Sequence, residues 1–198
     1  MDARQRRSRE RLHRAVLALA QERPVASLSV TEVAAEAGVH RTTFYEHATS
    51  PFALLEQALV EQLDAFRTGL LDQDTPVEQA VSHTTRSVLV HVRDHLAVYR
   101  QGLADDAGPS SLHAMLARHF AGSTRELVRA GRIDLDVHAP GIDDDLAARA
   151  AERFLADATV GVIAVWIQAP EQDVDAFMSL FERLLPQWWT VWAAQPVG

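Results

Sequence analysis

Hydrogen-bonding side chains are concentrated in one short stretch of the chain. It places an arginine, two threonines and a tyrosine between two histidines: His40, Arg41, Thr42, Thr43, Tyr45 and His47. An arginine can donate to both acceptors of a guanine edge, and a threonine methyl group can pack on thymine. On a helix, Arg41, Thr42 and Tyr45 can share one exposed face. These side chains and their spacing therefore predict a helix that reads base edges in a DNA groove.

A second candidate for chemistry is the pair His91 and His95, four residues apart in a helix that we predict over 75–103. Two imidazoles on one helix face can ligate a metal ion. However, the chain has no cysteine to add a thiolate ligand, and no H-E-x-x-H pattern accompanies the pair. We therefore expect no metal and no cofactor, and we place both histidines in a pocket lining instead.

The residues before the candidate reading helix carry the signals of another short helix and a tight turn. Ser29 and Glu32 have the spacing of a capping box, which predicts a helix start at Ser29. Gly38 stands where a left-handed residue would end that helix, and Phe44 is expected to point inward. The segment 29–47 therefore predicts a helix-turn-helix, in which Ser29 and Thr31 also face DNA.

Residues 8–60 resemble the DNA-binding domain of the TetR family of bacterial transcriptional regulators. The resemblance runs through Leu28-Ser29-Val30-Thr31, Val33-Ala34, Ala37-Gly38-Val39, Thr43-Phe44-Tyr45, His47 and Leu54-Leu55. It implies a homodimer that binds a palindromic operator in double-stranded DNA. It also implies a repressor that releases the operator when a small organic effector enters the C-terminal domain.

Three positions depart from the family pattern. The family usually has serine near His40, an aromatic residue at Ala48 and lysine at Pro51. Ser50 and Pro51 remain a good N-cap and first residue for the next helix. The missing lysine removes one phosphate contact, which predicts a weaker dependence of DNA affinity on salt.

Charge is distributed unevenly along the chain, whose net charge is −8. Residues 1–47 carry eight Arg and six acidic residues, a balance of +2, and the remainder carries −10. This asymmetry favours a nucleic-acid end and an acidic body. No apolar stretch approaches the roughly 20 residues of a membrane span, and no signal-peptide pattern is present. We therefore expect a cytoplasmic protein without membrane contact.

We predict an all-α fold of about nine helices, because no segment alternates with the period of two typical of strands. A three-helix, helix-turn-helix DNA-binding domain is expected over 1–50, with residues 1–7 as a flexible arm. A connecting helix follows over 51–74, and a helical ligand-binding and dimerisation domain over 75–198. The last helices are predicted over 144–168 and 171–193.

Mixed apolar and hydrogen-bonding residues between the helices of the second domain suit a pocket for a small organic molecule. We predict that its lining comprises Phe66, His83, Thr84, Val88, His91, His95, Tyr99, Leu116, Phe120 and Phe154. The last two helices carry the strongest apolar pattern, which we assign to a dimer interface. Its predicted residues are Ala158, Gly161, Val165, Trp166, Phe177, Phe181, Leu184, Trp188 and Trp192.

Two alternative functions stay open beside the ligand-released repressor. The first is a DNA-binding regulator that has no small-molecule ligand and is controlled by a protein partner. The second is a helical enzyme. The chain has no nucleophile elbow, no phosphate-binding glycine loop and no cysteine nucleophile. We therefore expect that the protein is not an enzyme.

Overall fold

The computed structural model describes residues 3–189, and within this range every regular element is helical. The prediction of an all-α fold with about nine helices is confirmed. Three short 3₁₀ turns, Val25–Ser27, Thr68–Leu71 and Gly108–Ser110, join some of the α-helices. The helices are α1 Ala3–Glu22, α2 Val30–Glu36, α3 Arg41–Tyr45, α4 Pro51–Arg67, α5 Val77–Asp94, α6 Leu96–Gly102, α7 His113–Arg129, α8 Asp144–Trp166 and α9 Val174–Leu184.

The chain divides into two compact units. The first unit comprises Met1–Leu63 and His95–Leu112, and the second comprises Asp64–Asp94 and His113–Gly198. Residues 95–112 thus lie in the first unit, although the sequence analysis assigned everything after residue 74 to the second domain. The reason is burial: Val98 and Tyr99 of α6 are buried within the first unit.

The helix predicted over 75–103 is interrupted. α5 ends at Asp94 and α6 begins at Leu96, while His95 between them has φ −113° and ψ 32°. The Nδ1 atom of His95 lies 3.2 Å from Nε2 of Gln21 in α1. His91 belongs to the second unit and His95 to the first, so the two histidines do not share one continuous helix face.

The two ends of the described chain also differ from the predictions. α1 begins at Ala3, so Arg4, Arg6 and Arg7 are helical and do not form a flexible arm. Arginine and glutamine are good helix formers, and the Arg6–Glu10 pair adds an ion pair at 3.8 Å across one turn. α9 ends at Leu184, earlier than predicted, because Pro186 cannot continue a helix.

The first unit is built around the inward stripe of α1. Leu12, Phe44, Leu54 and Leu59 have exposed fractions of 0%, and Tyr99 is equally buried. In the second unit α7 packs against α8. A buried cluster there includes Leu127, Leu155 and Trp189. The core of the first unit supports α1, α2 and α3, and the core of the second unit supports α7 and α8.

Candidate nucleic-acid interface

The start of α2 is fixed by a capping box, as its sequence predicts. The hydroxyl of Ser29 accepts the backbone amide of Glu32 at 3.2 Å, and the amide of Ser29 donates to Glu32 Oε2 at 2.9 Å. The guanidinium of Arg23 donates to Glu32 Oε1 at 2.5 Å. Hydrogen bonds from the Ser29 hydroxyl, from Arg23 and from the Ser29 amide lower the pKa of Glu32 to about 2. Glu32 therefore stays ionised at the helix N-terminus, where negative charge is favourable.

The turn between α2 and α3 is a glycine C-cap. Gly38 has φ +61°, a left-handed conformation that suits glycine. Its amide donates to the carbonyl of Ala35 at 3.0 Å, and the amide of Val39 donates to the carbonyl of Ala34 at 2.9 Å. This is the Schellman pattern of helix ends. Arg11 donates to the Gly38 carbonyl at 2.8 Å, which ties the turn to α1.

α3 places one side inward and the other outward. Phe44 is completely buried, whereas Arg41 and Thr42 are exposed and the Tyr45 side chain is 55% exposed. The rings of Phe44 and Tyr45 meet edge to face at 5.7 Å, which holds Tyr45 in place. The outward side is therefore a polar surface on a rigid support.

His40 is the N-cap residue of α3, and its side chain makes no capping hydrogen bond to any described residue. Ser29, Thr31 and His40 are exposed, and Thr43 is half-buried. His47 follows the end of α3, and its Nε2 atom is covered by protein without a hydrogen-bond partner within 3–189. The Nε2 atom of His47 is therefore not available to DNA in this conformation.

A cleft of about 520 Å³ adds residues that the sequence analysis assigned to a flexible arm. Arg4, Arg7 and Arg11 of α1 line it together with His40 and Thr43. Arginines at positions 4, 7 and 11 recur every three or four residues, which is the signal that could have placed them on one helix face. Glu46 is the one acidic residue of the lining, so the three arginines give the cleft a net positive charge next to the start of α3.

An ion cluster in the first unit joins a buried histidine to an exposed glutamate. His13 of α1 is 8% exposed, and its Nδ1 atom lies 3.1 Å from Oε2 of Glu61 in α4. Arg9 contacts the other oxygen of Glu61 at 3.1 Å. Burial lowers the pKa of His13; Glu61 opposes this shift, and Arg9 and His47 add to it. The cluster links α1 to α4 with His13 predominantly neutral near pH 7.

The predicted pocket residues do not all come together. Phe66, Thr84 and His91 do: the Thr84 hydroxyl donates to the Phe66 carbonyl at 3.4 Å, and the rings of Phe66 and His91 lie 5.8 Å apart. His95 and Tyr99 lie in the first unit, where burial raises the pKa of Tyr99. Of the others, Val88 and Leu116 are buried, Phe120 is half-buried, and His83 and Phe154 are exposed.

Some of the predicted dimer residues are exposed to solvent and others are buried within the chain. Ala158 and Leu184 are exposed, Val165 is 75% exposed, and Gly161 and Trp188 are half-buried. Trp166, Phe177 and Phe181 are instead buried. The ring centroid of Phe177 lies 4.9 Å from that of Trp166 and 5.9 Å from that of Phe181. Trp192 lies outside the described residues.

Three exposed apolar side chains were not among the predicted dimer residues. Leu146 and Phe154 project from α8 and Leu180 from α9, and each is about half exposed. Together with Val165 and Leu184 they form what we term the exposed apolar rows of α8 and α9. Leu180 and Leu184 are four residues apart, and Leu146, Phe154 and Val165 are spaced by eight and eleven. These helical spacings were visible in the sequence, but similar spacings also describe the buried sides of the two helices.

Neither a metal site nor a membrane helix is found between residues 3 and 189. No group of three or more His, Cys, Asp or Glu side chains in this range could hold a metal ion. No helix in the same range is long and apolar enough to cross a membrane.

Comparisons with known proteins were informative only at the level of structure. No protein-family model matches the chain, and no curated protein sequence matches it significantly. A TetR transcriptional regulator from a Rhodococcus species superposes with a TM-score of 0.60 at 22% identity, covering 91% of this chain and 94% of that one. A TetR transcriptional regulator from Streptococcus agalactiae has a TM-score of 0.60 at 20% identity, with coverages of 92% and 96%.

A third solved structure is FadR of Thermus thermophilus, a TetR family transcriptional repressor in complex with lauroyl-CoA. It superposes with a TM-score of 0.56 at 22% identity and covers 96% of this chain and 100% of that one. These likenesses extend over both units of the chain.

Proposed function

Because the chain has the fold of the TetR-family transcriptional regulators, we propose that it is a DNA-binding transcriptional regulator. The observation that carries this proposal is the outward side of α3. Arg41, Thr42 and Tyr45 are exposed there, while Phe44 anchors the helix in the core. A short helix held by a capped neighbour and a glycine turn can enter the major groove without losing its shape.

Base reading would rest on the first turn of α3. The guanidinium of Arg41 can donate to O6 and N7 of a guanine, and a contact of this kind contributes about 1–3 kcal/mol of discrimination. The methyl group of Thr42 can pack on thymine, and the Tyr45 hydroxyl can donate to a base or a phosphate. Contacts to the sugar-phosphate backbone of the DNA would come from the residues around this centre, Ser29, Thr31, His40 and Thr43.

Phosphate contacts would come from the arginines of the cleft beside α3. Arg4 and Arg7 stand on a helical turn, which holds the guanidinium groups in place better than a flexible arm would. Each phosphate that a protein neutralises adds roughly 0.9 to the slope of log affinity against log salt. These arginines therefore offset part of the loss of the lysine that the family usually has at Pro51.

The proposed regulator is a homodimer that associates through the exposed apolar rows of α8 and α9. Soluble monomers rarely expose large contiguous apolar surface, and such surface often marks an interface. Val165 at 75% exposure and Phe154 at 58% gain most from coverage by a second copy. A two-fold axis would then present two α3 helices to a palindromic operator, with half-sites spaced by about 34–36 Å per helical turn.

We further propose that a small organic effector binds between helices of the second unit and releases the operator, so that the protein acts as a repressor. The partly polar group of Phe66, Thr84 and His91 supports this, because effector pockets combine apolar surface with a few hydrogen-bonding groups. The FadR neighbour, a repressor in complex with lauroyl-CoA, supports the same class of control. Release requires two conformations of the dimer, and the effector must bind more tightly to the one that does not bind DNA.

A band-shift experiment with the DNA flanking the protein's own gene tests DNA binding. We expect wild-type protein to bind this DNA better than unrelated competitor, and Arg41→Ala to lose at least tenfold in affinity, or about 1.4 kcal/mol. Arg129→Ala is the matched control, because it removes an exposed arginine from the second unit. Equal losses in both variants, or no preference of the wild type, would refute base reading by α3.

Effector control is tested separately by adding metabolite mixtures to the preformed DNA complex. Release by a fraction, followed by identification of the active compound, would support small-molecule control. If no fraction releases the DNA but a cell lysate protein does, control by a protein partner is the correct account.

A further inference from the structure

A second cleft opens entirely within the first unit. It has a volume of about 420 Å³ and lies between the end of α1, the 3₁₀ turn Val25–Ser27, α4, α6 and the loop 103–112. Val25, Leu55, Val98 and Leu112 line it and are all buried, so its floor is apolar. The volume falls within the range of about 300–1,000 Å³ that is typical of small-molecule sites.

One wall of this cleft is a loop that is closed at its neck. The loop leaves α6 at Gly102 and returns at Leu112, whose amide donates to the Gly102 carbonyl at 2.8 Å. The Leu112 side chain packs so tightly on Gly102 that a Cβ atom added there would lie 2.4 Å from Leu112 Cδ1. Gly108, with φ +54°, turns the chain at the far end of the loop. These contacts hold the wall in place and keep the cleft formed without a ligand.

Polar groups are confined to a few positions of the same cleft. Arg100, Gln101, Asp106 and Ser110 line it, and of these Asp106 is exposed while the other three are half-buried. One cationic and one anionic side chain leave the lining without net charge. The lining is therefore complementary to an apolar molecule that carries one hydrogen-bonding or singly charged end.

We propose that this cleft binds a small organic molecule with an apolar body and a single polar end. Its occupant would contact Val25 and Ala26, which lead directly to Ser29, the N-cap of α2. The site is separate from the effector pocket proposed in the second unit, and it does not depend on DNA binding. A ligand here would hold the segment that enters the helix-turn-helix.

The absence of cysteine from the sequence allows a direct test. Ala107→Cys places one thiol in the cleft, and Ala130→Cys places one on an exposed position of the second unit as a matched control. Both thiols are alkylated with iodoacetamide in the full-length protein. The probe is 8-anilinonaphthalene-1-sulfonate, which has an apolar body and one charged end.

We expect the probe to slow alkylation of the Ala107→Cys protein about tenfold at a free concentration ten times its dissociation constant. The Ala130→Cys rate should not change. Probe bound to the apolar rows of α8 and α9, or to the second-unit pocket, would protect neither thiol. An unchanged Ala107→Cys rate, or equal protection of both thiols, overturns the proposal.

A filling variant from the opposite wall completes the test. Ala26→Phe, combined with Ala107→Cys, adds bulk at an exposed position of the cleft lining and should abolish the protection while the melting temperature is retained. Ala104→Leu fills the cleft from the loop 103–112 and replaces Ala26→Phe if that variant does not fold. Protection that persists in the folded filled variant shows that the probe binds elsewhere, and the proposal then fails.

Discussion

The two units of this chain contain the same kinds of helix cap, but the capped helices differ in their proposed roles. Each has a helix that ends in a Schellman motif, at Gly38 with φ +61° and at Gly131 with φ +65°. Each also has a helix whose N-cap side chain accepts a backbone amide: Ser29 accepts from Glu32, and Asp143 accepts from Leu146. In the first unit these devices fix the helix that carries the candidate DNA contacts. In the second unit they border a loop and support a long helix with an exposed apolar row.

The comparison teaches that similar local energies can have different functional consequences. An N-cap contributes about 0.5–2 kcal/mol to the stability of the helix that it caps, whatever that helix does. Its effect on DNA binding should depend only on whether it holds α3. Matched substitutions in the two units can therefore separate stability from function.

The largest expected effect concerns the apolar rows of the second unit. Leu180→Glu places a carboxylate on the surface through which we propose the dimer forms, and burying that charge without a partner costs several kcal/mol. We expect a monomer in analytical ultracentrifugation and at least about 100-fold weaker operator binding, or about 2.8 kcal/mol.

Leu71→Glu is the control for this substitution. Leu71 is also an exposed leucine of the second unit, at 41%, but it lies outside α8 and α9. It should leave the dimer intact. If Leu180→Glu and Leu71→Glu sediment alike, the apolar rows are not the interface.

The next largest effect concerns the two glycine turns. Gly38→Ala and Gly131→Ala each force alanine into the left-handed region, which costs about 1–2 kcal/mol. Chemical denaturation should show this loss for both variants, and Gly38→Ala should lose somewhat more because it also displaces the Arg11 side chain. Only Gly38→Ala should weaken DNA binding, because its new Cβ atom would lie 2.3 Å from Nη2 of Arg11 and displace the contact that ties the turn to α1. A Gly131→Ala protein with equally weakened DNA binding would contradict this division of roles.

A smaller effect is expected at the two N-caps. Ser29→Ala and Asp143→Ala each remove a side-chain acceptor from the first turn of a helix, at a cost of about 1 kcal/mol. Both variants should lower the midpoint of urea denaturation. Ser29→Ala alone should reduce operator affinity, since Ser29 caps α2 of the proposed helix-turn-helix. Equal DNA affinity of the Ser29→Ala and Asp143→Ala proteins would contradict a specific role of the α2 cap in DNA binding.

The smallest effect is a dependence of stability on pH that has opposite signs in the two units. The folded pKa of His13 lies below its ordinary value of 6.5, chiefly because of burial. The unfolded chain therefore binds the proton more readily, so the free energy of unfolding falls as the pH drops below 6.5. His13→Gln should flatten this fall in urea denaturation measured between pH 7 and pH 5.

His138 of the second unit provides the opposite sign. The hydrogen bond that Nδ1 of His138 donates to the Asp144 carboxylate, together with the charge of Asp144, raises the pKa of His138 above 6.5. Its contribution is present below pH 6.5 and is lost as the pH rises through the folded pKa. Because His138 is fully exposed, solvent screens the pair. His138→Gln should therefore change the pH profile less than His13→Gln, and in the other direction.

Local signals predicted the helix-turn-helix in detail. The capping box of Ser29 and Glu32, the turn at Gly38 and the inward Phe44 all follow from residue types at fixed spacing, and the structure has each of them. The N-cap at Ser50 is likewise present, because its hydroxyl accepts the Ala53 amide at 3.1 Å. These features depend on residues within a few positions of one another, which the sequence displays directly.

Features that depend on distant residues were predicted less well. His91 and His95 have the spacing of a helix face, but the helix is interrupted at His95 between α5 and α6. Trp166 and Phe177 have the same apolar character as Val165, yet they pack on each other and leave Val165 exposed. Periodicity identifies an apolar side of a helix without saying whether the partner is the same chain or another.

The sequence by itself determined the all-α fold, the capped helix-turn-helix and the polar residues on α3, because caps, glycine turns and hydrophobic periodicity act over short distances along the chain. Only the tertiary structure decided that α6 belongs to the first unit, that the arginines of α1 line a cleft with His40, and which apolar side chains of α8 and α9 remain exposed. Those outcomes depend on which surfaces bury one another, and burial is a property of the packed chain as a whole.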